Sequence, residues 1–223
     1  MYMVKIKVCG VTSPEDARLV YQSGVDMIGV IVKVNVSTPR EISVSRAREV
    51  FRPVPDDVEK VVVTMPECTD DIEKLSRGLD VDYFQIHSDL SYSFLMDIRD
   101  RMSEKIIGVV SIPKKGLDRE KALDKAEKIS EGSDLILLDT KVESRGGKGT
   151  VHDWKISSRI RQVLDLPVIL AGGLNPSNVR NAVERVDPFA VDVASGVESE
   201  PGRKDKNLID TFVQEAGGLI VKS

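Results

Sequence analysis

The chain has 223 residues, 30% of them charged, with a formal net charge of −4 and both signs mixed along its length. That length can bury the core of one sizeable domain, and the chain lacks the clustered basic residues of a nucleic-acid footprint. No apolar run approaches membrane-spanning length, and the two cysteines, Cys9 and Cys68, form no CxxC pair, which argues against a disulfide framework.

The apolar stretch in the opening MYMVKIKVCG is too short for a signal peptide, so a cytoplasmic protein with no membrane or nucleic-acid partner is expected. Along the chain the hydrophobic period switches repeatedly between 2 and 3.6. The first strand is predicted at Val4–Val8. The helix after it has Ser13 as its cap, Pro14 at its first position and Glu15 and Asp16 in its first turn. Strands at Met27–Val32, Val58–Val63 and Tyr83–Ile86 lead to helices at Ser43–Phe51, Asp70–Gly78 and Tyr92–Met102. The next two strands, Ile106–Ser111 and Leu135–Leu138, lead to Asp118–Ile129 and Trp154–Leu164. Pro167–Leu170 and Phe189–Val193 complete the series, with helices at Pro176–Val186 and Lys204–Ala216.

The strands are short and β-branched, as strands covered on both faces should be. Strand–helix units without a low-complexity linker predict an α/β fold, a single (β/α)8 TIM barrel over residues 1–223. A doubly wound open sheet is the runner-up, and the missing GxGxxG at the first strand–helix junction counts against its dinucleotide-binding versions.

In a barrel, reactive residues at the carboxyl ends of strands read as chemistry, because the loops there form the active site. Cys9 follows the first strand. A free cysteine often simply packs, but a thiol on the rim near a helix N-terminus can serve as a base or nucleophile. Asp139 closes the run ending at Leu138. It can be an ordinary turn or cap residue, or a carboxyl whose enclosure lets it donate a proton at neutral pH. Glycines directly follow the last two strands, Gly172-Gly173 and then Ser195-Gly196, where backbone amides and a short extra helix can hold a phosphate. Gly146-Gly147-Lys148-Gly149 forms a third glycine-rich loop after strand six, as a lid or a plain connection.

The segments KVCGVTSPEDA, TPREIS, FQIH, LLDT, GGKGTVHDW, AGGLNPSNV and VDVASGVESEPGRKD stand in the order of a known signature. From Lys7 to about Phe212 the chain resembles the phosphoribosylanthranilate isomerase family of tryptophan biosynthesis. The resemblance implies an Amadori rearrangement of a small phosphorylated aminoaldose, with no cofactor and no metal. It makes Asp139 the general acid that protonates the furanose ring oxygen and Cys9 the general base that takes the C2 proton. It places Arg40 near the substrate carboxylate or the ring-opening site and His87 at the barrel mouth, in contact with substrate.

Strand period leaves Gln85 pointing inward or outward, with a hydrogen bond inside the barrel as its expected job, and Asp192, inside strand eight, is expected to fix the phosphate loop or face the mouth. Two separated histidines make a metal site improbable.

The chain departs from the family pattern in places. In the loop after strand six, Lys148 stands two places early and His152 replaces an aromatic residue. The Lys33–Pro39 loop lacks its aromatic lead-in, and Ser88 stands where glycine is common. Other readings fit less well. A divergent sugar-phosphate isomerase with another substrate remains open. An epimerase would want metal-ligand histidines, and the histidine-pathway isomerase pairs two aspartates. A silent phosphometabolite-binding barrel need keep neither Cys9 nor Asp139. Monomer and homodimer both remain open.

Overall fold

Eight parallel strands close into a barrel in strict chain order, each hydrogen-bonded to the next and the eighth to the first. The computed structural model describes residues 3–87, 91–113, 119–141 and 151–217. The strands are β1 (Lys5–Val8), β2 (Met27–Ile31), β3 (Glu59–Thr64), β4 (Tyr83–Ile86), β5 (Lys105–Pro113), β6 (Leu135–Lys141), β7 (Val168–Leu170) and β8 (Ala190–Val193). Helices α1 (Pro14–Gln22), α2 (Val44–Phe51), α3 (Thr69–Gly78) and α4 (Tyr92–Arg99) follow the first four strands, and α5 (Arg119–Ser130), α6 (Trp154–Val163) and α7 (Val179–Val186) the next three. After β8 come a three-residue 3-10 turn at Ser195–Val197, the strands β9 (Glu198–Glu200) and β10 (Arg203–Lys204), and then α8 (Lys206–Ala216). Among the described residues no helix is long and apolar enough to cross a membrane.

The alternation of strand side chains splits the core into two layers. Ile6, Val8, Ile28, Val30 and Val62 point outward and pack with helix residues such as Ala17, Val20, Ala47 and Val50. Met27, Val61, Ile107, Val109, Leu135, Leu137 and Ile169 fill the barrel interior. Lys7 pairs in register with Met27 on one side and Asp192 on the other, so it belongs to the interior set.

The helix starts are explained by capping. Ser13 Oγ accepts the Asp16 N–H at 3.0 Å, Ser43 Oγ accepts that of Arg46, and the Asp205 carboxylate accepts that of Leu208 at 3.0 Å.

Four expectations are corrected by local chemistry. The last helix begins at Lys206 and not Lys204, because Asp205 caps it and Lys204 is committed to β10. The seventh helix begins at Val179 and not Pro176, because Asn175 and Asn178 tie the preceding turn. Asn178 Oδ1 accepts the Asn175 N–H at 2.9 Å, and Asn175 Oδ1 accepts the Ser177 N–H at 2.8 Å. The extra helix after strand eight is only the 3-10 turn, followed by the β9–β10 hairpin with Gly202 at φ +84°. Asp139 does not end β6: the strand runs on to Lys141, with Asp139 opposite Ser111 of β5.

Candidate active site

The carboxyl ends of the strands surround a cavity of about 390 Å³. Cys9 after β1, Arg40 in the β2–α2 loop, Gln85 and His87 from β4, Asp139 from β6 and Asp192 from β8 all line it. Gly172, Gly173 and Ser195 close its β7–β8 side. Gly196 lies behind Ser195, in an adjoining depression shared with Arg40, Gly173 and Glu198. The residues singled out in the sequence therefore converge on one mouth. Among the described residues no cluster of three or more His, Cys, Asp or Glu side chains is arranged to hold a metal.

Cys9 is buried at the cavity floor, its N–H donated to Val193 O at 2.8 Å. Room for the sulfur comes from β2: a Cβ on Gly29 would stand 3.0 Å from Sγ. Burial pushes the thiol up from its ordinary value, and the cations Lys7 and Lys204 offset that in part. Lys7 is fully buried directly beneath, with Nζ 3.0 Å from Asp192 Oδ1. Neither atom has a well-aligned hydrogen bond. Burial alone would pull the Lys7 ammonium down, but Asp192 and Cys9 outweigh it and hold it raised. The KVCG motif contained this lysine, but only the register of β1 against β8 assigns it a partner.

Asp139 keeps 28% of its side chain open to the cavity, while the barrel walls enclose the rest. That burial pushes its carboxyl up from the usual range; His87, with Nε2 3.6 Å from Oδ2, and the Thr140 N–H, donated to Oδ1 at 2.7 Å, offset part of it. A carboxyl so raised is suited to giving up a proton near neutral pH. Gln85 Nε2 stands 3.3 Å from His87 Nδ1. With the amide donating, Nδ1 accepts, and the Nε2 edge of the ring faces Asp139. Gln85 thus makes the expected interior contact and orients the histidine.

Arg40 is already engaged. Nε and Nη2 donate to Glu198 Oε1 and Oε2 at 2.8 and 2.6 Å, a bidentate pair. Lys204, itself buried, donates Nζ to the same Glu198 Oε1 at 2.9 Å and to Ala194 O at 3.0 Å. Burial would push Glu198 up, but the two cations win and hold it below the usual carboxylate range. Sequence reasoning missed both Glu198 and Lys204, although each lay in the quoted VESEPGRKD segment. The Arg40 edge formed by Nη1 and Nη2 retains donors for an anion, while the Nε edge fixes the side chain.

The glycine loops are held close together. Gly172 and Gly173 have φ of +86° and +72°, and a Cβ on Gly172 would come 2.3 Å from Thr140 Oγ1. Asn178 Nδ2 donates to Gly173 O at 3.0 Å. A Cβ on Gly196 would come 2.0 Å from Leu174 O, so only glycine lets the β8 turn lie against the β7 loop. The first amides of a helical turn have no partner within it, which suits the Ser195–Val197 turn to an anion.

His152 is buried before α6, between two hydroxyls: Nδ1 is 2.8 Å from Thr140 Oγ1 and Nε2 is 2.5 Å from Ser157 Oγ. Its own N–H is donated to Thr140 Oγ1 at 3.2 Å. Burial lowers its imidazole to about 4, so it is neutral. It anchors the end of the β6–α6 loop beside Asp139 and takes no place in the cavity lining. Ser88 and the rest of that loop, Gly146-Gly147-Lys148-Gly149-Thr150, lie outside the described residues.

Known proteins agree with this geometry. A family model described as N-(5'phosphoribosyl)anthranilate (PRA) isomerase matches residues 6–215. The chain is 42% identical over 216 residues to the N-(5'-phosphoribosyl)anthranilate isomerase of Methanopyrus kandleri, covering 95% of this chain and 98% of that protein. The crystal structure of phosphoribosyl anthranilate isomerase from Thermotoga maritima superposes with a TM-score of 0.84 at 35% identity, covering 97% of this chain and 100% of that one. A further structure of such an isomerase, in complex with reduced 1-(o-carboxyphenylamino)-1-deoxyribulose 5-phosphate, gives a TM-score of 0.81 at 33% identity, with the same coverage.

Proposed function

This chain belongs to the N-(5'-phosphoribosyl)anthranilate isomerase family, and from that premise we propose that Cys9 and Asp139 carry out its two proton transfers. The protein is an isomerase of tryptophan biosynthesis acting on a small phosphorylated substrate. It converts N-(5'-phosphoribosyl)anthranilate to 1-(2-carboxyphenylamino)-1-deoxyribulose 5-phosphate.

The proton steps follow from the site. Asp139, its carboxyl raised by burial, gives its proton to the furanose ring oxygen as the C1–O bond breaks and the anilino nitrogen supplies the electron pair. The iminium so formed acidifies the C2 proton. Cys9, on the other side of the cavity, takes that proton, and the enolamine tautomerises to the ketone. In the empty site burial favours the thiol. The iminium charge, added to Lys7, favours the thiolate when the base is needed. Each positioned transfer contributes roughly 100- to 10,000-fold.

Binding follows the same logic. The phosphate is assigned to the amides around Gly172, Gly173, Ser195 and Gly196. The anthranilate carboxylate is assigned to the free edge of Arg40, with His87 contacting the sugar beside Asp139. The observation that carries the assignment is the opening of Cys9 and Asp139 into one cavity that the two glycine loops close. It is tested with the purified protein and phosphoribosylanthranilate generated in situ, followed by loss of anthranilate-type fluorescence. Inorganic phosphate should inhibit competitively; noncompetitive inhibition would move the phosphate subsite elsewhere.

A further inference from the structure

The middle of the barrel interior is mostly apolar, and a charge pair stands in it. Met27, Val61, Ile107, Val109, Leu135, Leu137 and Ile169 fill it, yet Lys7 lies among them with no exposed surface. Taking an ammonium and a carboxylate out of water costs several kcal/mol per ion, and their attraction repays this only with good geometry and full hydrogen bonding. Here the geometry is poor. Lys7 Nζ is 3.0 Å from Asp192 Oδ1, and neither atom has an aligned hydrogen bond. Stability is therefore a weak reason for the pair, and its position supplies a better one. Lys7 is two residues before Cys9, so strand alternation turns both side chains to the barrel interior, and the charge of the ammonium acts on the thiol as well as on Asp192. The two alternatives for its remaining protons are the Asp192 carboxylate and the Cys9 thiolate of the reaction.

Resting on the reading of Cys9 as the base, we propose that Lys7 is its positioning residue, the buried cation that stabilises the thiolate, with Asp192 as the counter-charge that competes for it. The charged groups around the sulfur are Lys7 from β1, Asp192 from β8, Lys204 from β10 and Arg40 from the β2–α2 loop. Asp139 and His87 stand elsewhere on the cavity wall. Lys7 and Lys204 both hold their ammonium groups out of solvent, but Lys204 donates to Glu198 and Ala194 O, whereas Lys7 shares the interior face of β1 with Cys9 and has no aligned hydrogen bond.

The opposite signs of Lys7 and Asp192 give a test that loosened packing cannot imitate. The rate of Cys9 alkylation by iodoacetamide is measured against pH and resolved by peptide mass spectrometry, so that the exposed Cys68 does not interfere. Lys7→Met should raise the midpoint by about one pH unit or more, a tenfold or greater loss of rate at pH 8. Lys7→Arg should largely restore it, and Asp192→Asn should lower it. Loosened packing would lower the midpoint in Lys7→Met, because burial is what raises it. An unchanged or lowered midpoint in Lys7→Met therefore overturns the proposal. Should that variant not fold, Asp192→Asn decides, an unchanged or raised midpoint overturning it. Turnover is not part of this readout. An active Cys9→Ala enzyme would remove the thiol from the mechanism and leave the ionisation result standing.

Discussion

Replacing Gly196 with alanine separates binding from chemistry. The added Cβ would lie 2.0 Å from Leu174 O and 3.0 Å from both Asn175 Cα and Cβ. Real Cβ contacts essentially never fall below 3.0 Å, so the β7 loop and the β8 turn must part by about 1 Å. The obstacle is backbone, so no side chain can swing away. A phosphate held between the two loops at roughly 2.9 Å from each amide would then be about 3.9 Å from one of them, beyond hydrogen-bonding range. A hydrogen bond to a charged group is worth ~1.5–3 kcal/mol, so KM should rise about ten- to a hundredfold. Overpacking should cost ~1–3 kcal/mol of stability, read as a modest fall in Tm. Because Cys9 follows β1 and Asp139 stands on β6, away from the β7 loop and the β8 turn, kcat should change little. The assay is steady-state kinetics on phosphoribosylanthranilate, with competition by inorganic phosphate weakened in parallel. A KM within about twofold of wild type, with phosphate competing as before, would refute the placement of the anion.

Asp139→Asn keeps the shape of the acid but not its proton, so kcat should fall by about 100-fold or more. If substantial kcat survives, His87, 3.6 Å away, becomes the donor to test. Arg40→Lys cannot reproduce the bidentate pairing with Glu198 and should raise KM about tenfold at nearly constant kcat; an unchanged KM would detach Arg40 from substrate. His152 is neutral in the folded state, its value lowered to about 4, so its contribution is present above the unfolded value and lost as pH falls toward 4. Between pH 7 and pH 5 that amounts to about 2 kcal/mol, and urea titrations should find this loss in the wild type but not in His152→Leu. Equal pH dependence in the two proteins would contradict a buried neutral imidazole.

The strand–helix alternation was legible because the barrel strands are largely buried on both faces and the helices between them bury an apolar face against the barrel. Cys9, Asp139 and the glycine pairs were legible because position at or near the carboxyl end of a strand marks the barrel mouth. What the sequence hid depends on register and packing. Lys7 in a β-branched run shows no partner until β1 is aligned with β8, where Asp192 lies opposite. Arg40 reads as a free cation until the β9–β10 hairpin brings Glu198 to its fork. Lys204 looked like the start of a helix, since its burial against Ala194 O and Glu198 arises from that same hairpin. His152 stood out as a departure, but its role between Thr140 and Ser157 joins β6 to α6 in space and leaves no local pattern.

The most direct test of the catalytic assignment is the kcat of Cys9→Ala on phosphoribosylanthranilate, measured on protein whose circular dichroism and Tm match the wild type. Cys9 lies in a buried but small contact with Gly29, so the variant should fold. The assignment predicts a loss of about 100-fold or more, with Cys9→Ser no better, since a serine hydroxyl is far too weak an acid to supply the anion. A kcat within a few-fold of wild type would mean that another group takes the C2 proton.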